Sequence, residues 1–345
     1  MKFDYVIGNP PYQLSYGDSE SGNKTYAPPI YHAFMDAAFE ISDRTELITP
    51  ARFLFDAGST PKAWNHKMLN DPHLKVLDYK ADASTVFPNT DIKGGVAITY
   101  HDDNHDFGII DTFTAFKPLN TILHKVRPFL EKGNLTDEIF LQNKFDLDEL
   151  YSDFPDFKKI IGSEGKDKRF RNNIFYKVSI FTDSPTSKED IKVLGLQNKK
   201  RCWKYIPSKY VDQNHENLNT WKVLVVRVNG TGSLGETLST PVIAGPGEAY
   251  TQTFIGLGSF REKEQAENAL KYIKTKFLRV LLGVLKITQD NNREVWRMIP
   301  LQDFTDKSDI DWSKSISEID QQLYKKYGLD DDETEFIESH VKEMN

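Results

Sequence analysis

This sequence has a single cysteine, and it lacks long apolar runs and an apolar leader. Cys202 is the single cysteine among 345 residues, which excludes a disulfide framework and a cysteine-rich zinc site. No apolar run approaches the ~20 residues that a membrane span needs, and the mean hydropathy is −0.54. The chain opens on a charged strand pattern rather than an apolar signal peptide. We therefore expect a cytoplasmic protein of bacterial type with no membrane partner.

Length and charge distribution set the next limits. The 345 residues, 39% hydrophobic and 12% aromatic, suffice for two domains with real cores. Residues 158–209 hold 14 Lys and Arg against 5 Asp and Glu, a local balance of +9. Because the whole chain carries −7, the remainder carries −16. A basic segment inside an acidic chain is typical of a surface that faces phosphates, although many basic runs are solvated loops.

The stretch Asn9-Pro10-Pro11-Tyr12 follows a short apolar strand at residues 3–8. The two prolines fix φ and donate no N–H, so the loop is stiff and the Pro10 carbonyl is left free. The Asn9 side chain and that carbonyl are two acceptors for the hydrogens of an exocyclic amino group such as adenine N6. An aromatic ring beside them can stack on a base that has left the helix. The alternative is an ordinary Pro-Pro turn.

Strand and helix patterns alternate over the first hundred residues. Helices are predicted at residues 30–42 and 58–69, the first with an apolar stripe that includes Tyr31, Phe34, Ala38 and Ile41. Strands are predicted at residues 47–50 and 74–79. This alternation predicts an α/β domain with a largely parallel sheet. A Gly94-Gly95 turn before a last strand predicts that the sheet ends in a hairpin.

Two segments that contain carboxylates raise the question of a metal. The region from His101 to Asp106 is rich in His and Asp, but a solvated hairpin tip explains it better than convergent ligands do. Pro155-Asp156 followed by Glu164-Gly165-Lys166 superficially matches a nuclease pattern, with a spacing that is too short. We predict no metal site.

The second half of the chain is predicted to be a β-rich mixed domain. Strands are predicted at residues 175–180, 221–226 and 253–257, a helix at residues 264–284, and a helical hairpin in the tail from residue 309. The glycine-rich residues 230–235 lack the lysine and the βα context of a phosphate cradle, which leaves a flexible loop or a backbone contact to DNA.

Candidate nucleic-acid contacts cluster in the same half. Basic and aromatic residues interleave at residues 199–205, as on nucleic-acid surfaces, and further lysines lie on the predicted helix. Side chains suited to reading base edges follow at residues 289–293, where Asn291 and Asn292 accompany Gln289 and Arg293, although polar residues that cap a helix are an equal alternative. The predicted DNA-binding residues are Lys199, Lys200, Arg201, Lys204, Lys274, Lys276, Gln289 and Arg293.

Asn9-Pro10-Pro11-Tyr12 resembles the catalytic motif of N6-adenine DNA methyltransferases. Further segments resemble those of combined type II restriction-modification methylases. They are Pro50-Ala51-Arg52-Phe53, and, later in the chain, Phe87-Pro88 followed by Ile92-Lys93-Gly94-Gly95-Val96. The stretch from Lys286 to Pro300 resembles the target-recognition region of that family. The resemblance implies a site-specific, adenine-specific DNA methyltransferase that uses S-adenosyl-L-methionine. It also implies that Phe87 packs on the flipped adenine opposite Tyr12; the alternative for Phe87 is a core residue.

The sequence departs from the family in one respect. The glycine-rich S-adenosylmethionine motif that family members carry upstream is absent here. We therefore expect the C-terminal half of a Rossmann-like methyltransferase sheet plus a mixed α/β target-recognition domain. The expected divisions are residues 1–115 (partial catalytic domain), 116–170 (connecting helix and basic linker), 171–310 (target recognition) and 311–345 (C-terminal helices).

Two functions stay open at this point. The chain is either the catalytic and target-recognition portion of a methyltransferase that acts on double-stranded DNA, or an inactive or split-gene DNA-specificity module. In the second case a partner chain carries the S-adenosylmethionine motif.

Overall fold

The computed structural model describes residues 2–14, 28–88, 92–162 and 168–344. The chain divides into two compact units, Met1–His124 and Lys125–Asn345. The division falls within one helix, α3, whose bounds are given below. Among the described residues, no helix combines the length and apolarity that a membrane span requires.

The first unit contains a four-stranded sheet with helices. Its elements are β1 (Val6–Gly8), α1 (Tyr31–Ile41), β2 (Arg44–Pro50), α2 (Lys62–Leu69), β3 (Leu74–Lys80), β4 (Val96–Asp102) and the start of α3 (Lys117–Leu130). The strand order is β1-β2-β4-β3. The prediction of an α/β architecture is confirmed at this level.

The prediction of a largely parallel sheet is wrong. β1 runs parallel to β2, but β4 lies between β2 and β3 and is antiparallel to both. Between β3 and β4, the described residues 81–88 and 92–95 form a 3-10 turn at Ala83–Thr85 and the Gly94-Gly95 turn, and they contain no crossover helix of the kind that parallel neighbours need. The predicted terminal hairpin is confirmed by the same pairing.

The core of the first unit forms between one face of the sheet and α1 and α2. α1 buries Tyr31, Met35 and Ala38, whereas Phe34 and Ile41 are 41% and 46% exposed. The buried stripe therefore follows the i, i+4, i+7 spacing and not the whole set expected from the sequence. Trp64 and Met68 of α2 complete the cluster with Phe53 and Leu54.

The second unit contains two sheets and seven helices within its described residues, besides the end of α3. Its elements are β5 (Ile139–Phe140), α4 (Leu147–Asp153), α5 (Phe157–Ile161), α6 (Ile174–Lys177), β6 (Ile191–Gln197), β7 (Lys200–Ile206), β8 (Trp221–Val226), β9 (Val242–Ala244), β10 (Glu248–Tyr250), β11 (Phe254–Phe260), α7 (Lys263–Lys274), α8 (Lys276–Leu285), α9 (Ile316–Lys326) and α10 (Asp331–His340). The sheet orders are β10-β6-β7 and β5-β11-β8-β9. The predicted strands at 221–226 and 253–257 and the C-terminal helix pair are confirmed.

Two expectations for the second unit are wrong. Residues 175–180 do not form a strand, because Ile174, Phe175 and Val178 are buried at helical spacing and α6 occupies this position. The long helix at 264–284 is two helices. Thr275 ends α7 in an extended conformation, and its hydroxyl accepts the Leu278 amide at 3.1 Å, which begins α8.

Candidate active site and nucleic-acid interface

The Asn9-Pro10-Pro11-Tyr12 motif is the exit of β1. β1 pairs with β2 from Val6 opposite Thr45 to Gly8 opposite Leu47, and the motif begins at the next residue. Beyond it, the Ile30 amide donates to the Tyr12 carbonyl at 3.1 Å, and the Leu14 amide donates to the Pro28 carbonyl at 3.0 Å. These bonds tie the motif to the start of α1. Residues 15–27, which follow the motif in sequence, lie outside the described residues.

The two acceptors of the motif are open. Asn9 is exposed and Pro10 is half-buried. Within the described part of the chain, neither the Asn9 side chain nor the Pro10 carbonyl accepts a hydrogen bond. A rigid strand exit thus presents two uncommitted oxygen acceptors, which is the arrangement that an exocyclic amino group requires.

Tyr12 and Phe87 lie side by side. Their ring centroids are 6.3 Å apart and their planes meet at 72°, an edge-to-face pair. Tyr12 packs partly on the core of the first unit, and Phe87 is held by its amide, which donates to the Ala83 carbonyl at 2.9 Å. Burial raises the pKa of Tyr12 to about 12, so its hydroxyl is neutral near pH 7. The structure therefore brings together two half-buried rings that are 75 positions apart in sequence.

The Gly94-Gly95 turn supports this end of the sheet. At Gly95, with φ +75°, a Cβ would lie 2.2 Å from the Lys80 carbonyl oxygen. At Gly94, with φ +87°, it would lie 2.7 Å from Cγ of Arg52. Arg52 Nε donates to the Lys93 carbonyl at 2.5 Å. Arg52 was not among the predicted site residues, although it lies in Pro50-Ala51-Arg52-Phe53, a segment whose family resemblance could have indicated its role.

The predicted DNA contacts in β7 divide into open and committed groups. Lys199 and Lys200 are exposed at the turn between β6 and β7. Arg201 donates to the Thr240 carbonyl at 2.5 Å and lies 5.6 Å above the Phe254 ring. Lys204 is 8% exposed and bonds the exposed Asp183 at 2.5 Å, so its charge is already paired within the chain.

The remaining predicted contacts divide in the same way. Lys274 is half-buried at the end of α7, and Gln289 is exposed. Lys276 forms an ion pair with Glu338. Arg293 is exposed, but its Nε donates to the Thr136 carbonyl at 2.8 Å.

The two asparagines between Gln289 and Arg293 do not face solvent freely. Asn291 is fully buried. Asn292 caps the 3-10 turn at Arg293–Trp296 by accepting the Glu294 amide at 2.9 Å. The prediction that both could read base edges is therefore wrong for Asn291, and the capping alternative holds for Asn292.

The glycine-rich loop at residues 230–235 surrounds a carboxylate of the chain itself. The Thr231 and Gly232 amides donate to the two Glu236 oxygens at 2.8 and 3.2 Å, and Lys286 donates to the same carboxylate. Burial opposes ionisation of Glu236, but the Lys286 bond and the two amides outweigh it and lower its pKa. The loop has the geometry of an anion nest, and Glu236 is the anion.

Metal binding finds no support in the described residues. No group of three or more His, Cys, Asp and Glu side chains there could hold a metal ion. His101 is buried in β4, stacks on Phe39 at 4.0 Å and lies 3.3 Å from an Asp71 oxygen. The expectation of a solvated tip is thus wrong for His101, although His105 and Asp106 are exposed. Glu164-Gly165-Lys166 lies outside the described residues.

The described residues do not complete a site for S-adenosylmethionine. β1 and β2 are the parallel pair whose exits could face a cofactor. β1 exits into Asn9-Pro10-Pro11-Tyr12, and β2 into the 3-10 turn Ala51–Phe55. Neither exit is the glycine turn that adenosine and phosphate cradles use.

Comparison with known proteins bears on these residues. Residues 1–87 match the family model described as Eco57I restriction-modification methylase. A curated relative from Mycoplasma pneumoniae (strain ATCC 29342 / M129 / Subtype 1), described as an uncharacterized adenine-specific methylase, is 32% identical over 148 residues, or 42% of this chain. The matched segment spans 35% of that relative's length. The predicted resemblance to restriction-modification methylases of adenine is confirmed, and the family match ends at Phe87.

Proposed function

We propose that this chain, whose first 87 residues carry the methylase family match, is the catalytic-motif and target-recognition portion of a site-specific adenine-N6 DNA methyltransferase. The enzyme would belong to a restriction-modification system. One observation carries the proposal: the open Asn9 and Pro10 acceptors lie at a strand exit beside the Tyr12–Phe87 pair.

The chemistry assigned to these residues concerns the acceptor base. The Asn9 side-chain oxygen and the Pro10 carbonyl accept the two hydrogens of N6, which raises electron density on a nitrogen whose lone pair is delocalised into the ring. Tyr12 and Phe87 hold the flipped adenine by contact with its faces. A neutral Tyr12 places no charge against the base.

The methyl donor in this proposal is S-adenosyl-L-methionine, which supplies an activated methyl group. The described residues do not complete its site, so an autonomous enzyme would need further residues of this chain for the donor, and a specificity module would need a partner chain that carries the S-adenosylmethionine motif. The exposed edge of the sheet supports an incomplete methyltransferase sheet. β1 is an edge strand, parallel to β2, and its residue Ile7 is 72% exposed. We interpret this sheet as the C-terminal half of a Rossmann-like methyltransferase sheet.

The domain assignment is part of the same proposal. Residues 1–115 form the partial catalytic domain and residues 116–170 the connection. Residues 171–310 form the target-recognition domain for double-stranded DNA, and residues 311–345 the C-terminal helices. The open Lys199, Lys200 and Gln289 side chains support a DNA-facing role in the third part.

The test is the Asn9→Ala variant in the complete methylating system. Loss of one preorganised hydrogen-bonding group costs about 10²–10³ in turnover, so methyl incorporation into duplex DNA should fall by about that factor. DNA affinity should stay within about twofold, since Asn9 acts on the flipped base alone. Asn70→Ala is the matched control, because Asn70 is an exposed asparagine at the end of α2. Equal loss of binding and methylation in Asn9→Ala would remove the catalytic assignment.

The second candidate is a DNA-specificity module without activity of its own, favoured by the incomplete donor site. Calorimetry on the purified chain separates the two. A chain that binds duplex DNA and gives no heat with S-adenosylmethionine is a module that depends on a partner. A chain that binds both is an autonomous enzyme.

A further inference from the structure

The turn that joins β6 to β7 has an unusual residue in it. Gln197 pairs with Lys200, so the turn consists of Asn198 and Lys199 alone. Both residues have positive φ, 51° and 61°. A two-residue turn of this kind strongly favours Asn-Gly, because glycine adopts the left-handed conformation without a steric cost. Lysine has no local reason to occupy the second position, since its Cβ is disfavoured there.

The turn is nevertheless held firmly. The Asn198 amide donates to the Tyr176 hydroxyl, which in turn donates to Oδ1 of Asn198 at 3.2 Å. Tyr176 belongs to α6, and the residue before it, Phe175, is part of the buried core beside β6. The tip of the hairpin therefore has a fixed position relative to the core of this unit, and Lys199 projects from a rigid support.

Charge is distributed unequally along the hairpin. Nearer its base, Lys192 bonds Glu248 at 2.8 Å and Lys204 bonds Asp183 at 2.5 Å. At the tip, Lys199 and Lys200 are exposed, and no carboxylate among residues 2–14, 28–88, 92–162 and 168–344 lies within 4 Å of either ammonium group. Within this hairpin, the two lysines that are partly or largely buried are paired with carboxylates, and the two exposed lysines at the tip are not.

We propose that Lys199 is a phosphate-contacting residue and that the β6–β7 tip is the element that carries it to the backbone of duplex DNA. Strained backbone conformations persist where the surrounding structure enforces them, and they cluster at functional sites. Here the enforced conformation fixes the position of the Lys199 ammonium group. The inference rests on the proposed function for its partner and goes beyond it by naming the contacting element.

The experiment compares three variants of the full chain on a mixed-sequence duplex, with fluorescence anisotropy at several salt concentrations. Lys199→Gly relieves the strain and removes the charge. Its melting temperature should rise by about 2–4 °C. Its affinity for the duplex should fall, and the slope of log K against log[salt] should decrease by about 0.9, the value for one phosphate contact. Lys199→Arg, which keeps the charge, should retain the slope.

Lys188→Ala is the matched control, since Lys188 is exposed just before β6, at the opposite end of the hairpin. It should leave the salt slope unchanged. A Lys199→Gly variant with the wild-type slope overturns the inference, and so does an equal decrease in Lys188→Ala. In both cases the wild type still binds DNA and the proposed function stands. A wild-type chain that binds no duplex at low salt overturns both.

Discussion

Two loops with the composition of ligand sites differ in what satisfies their polar groups. At Asn9-Pro10-Pro11-Tyr12 the Asn9 amide and the Pro10 carbonyl have no partner among the described residues. At residues 230–235 the amides of Thr231 and Gly232 are bonded to Glu236, which Lys286 also contacts. Composition alone made both loops candidates. The difference shows that a ligand site is recognised by unsatisfied groups rather than by glycines or prolines.

A buried charge in the second unit is also satisfied by groups of the fold itself. Lys222 is completely buried, and its ammonium group donates to the carbonyls of Gly245 at 2.9 Å, Thr220 at 3.0 Å and Leu218 at 3.3 Å. Burial lowers its pKa to about 7. Lys222 joins β8 to the chain before it and to the turn after β9. Polar groups in this unit hold the fold together, so their removal should be measured in stability.

The largest expected effect is at Glu236. Glu236→Gln leaves the Lys286 ammonium group buried, with 2% of its side chain exposed, and without a countercharge. Breaking a buried pair in this way costs about 3–5 kcal/mol. Urea unfolding followed by tryptophan fluorescence is a suitable measurement, since four of the five tryptophans lie in this unit.

Two comparisons control that result. Glu267→Gln breaks an exposed pair, Lys263–Glu267 at 2.8 Å, and should cost less than about 1 kcal/mol. Glu236→Gln combined with Lys286→Met removes both charges and should recover a large part of the loss. If Glu236→Gln is as mild as Glu267→Gln, the loop does not depend on its internal anion, and the contrast between the two loops fails.

A second effect, of about 3 kcal/mol, concerns pH and Asp320. Asp320 lies on α9, and its two oxygens accept the Lys276 and Phe277 amides at 3.0 and 2.9 Å, at the first turn of α8. Burial raises its pKa from 3.8 to about 6, against the effect of those amides. The folded state therefore holds the proton more tightly than the unfolded chain does.

The direction of the pH dependence follows from that shift. Below pH 3.8 Asp320 is protonated in both states and its favourable contribution is complete. Between pH 3.8 and about 6 the unfolded chain ionises first, so stability falls as pH rises, by about 3 kcal/mol in all. Unfolding free energies at pH 4 to 7 should show a flatter profile in Asp320→Asn than in the wild type. An unchanged slope in Asp320→Asn, or the same flattening in the exposed control Asp306→Asn, would assign the dependence to other groups.

The sequence predicted those features whose causes are local. The stiffness of Asn9-Pro10-Pro11-Tyr12 follows from proline geometry, and the strand at 221–226 follows from the β-branched and apolar run at residues 223–226. The Tyr12–Phe87 contact, by contrast, was implied only by family resemblance. No periodicity relates two residues that are 75 positions apart.

Features that depend on tertiary partners were missed or misassigned. Lys204 resembled a nucleic-acid contact because Asp183, which neutralises it, is 21 positions away. Thr275 is compatible with a helix interior and with an N-cap, and the capping of α8 decides between them. The roles of Arg52, Glu236 and Asp320 each depend on a contact that the fold alone creates.

The smallest expected effect is in the first unit, at the Tyr12 hydroxyl. This oxygen is buried and has no hydrogen-bond partner among the described residues, so Tyr12→Phe removes a group that the fold does not use. A buried hydroxyl without a partner costs free energy, and its loss should change the free energy of unfolding by less than about 1 kcal/mol, towards greater stability. Methyl transfer by the complete system should persist, because phenylalanine keeps the ring that faces the base. Tyr12→Ala is the informative contrast, since loss of a stacking ring costs about 1–3 kcal/mol in base binding.

Urea unfolding, together with methyl incorporation into duplex DNA, measures both effects. If Tyr12→Phe destabilises the fold by more than about 1.5 kcal/mol, the hydroxyl has an internal partner, and this strand exit is then satisfied from within, as the glycine-rich loop is by Glu236.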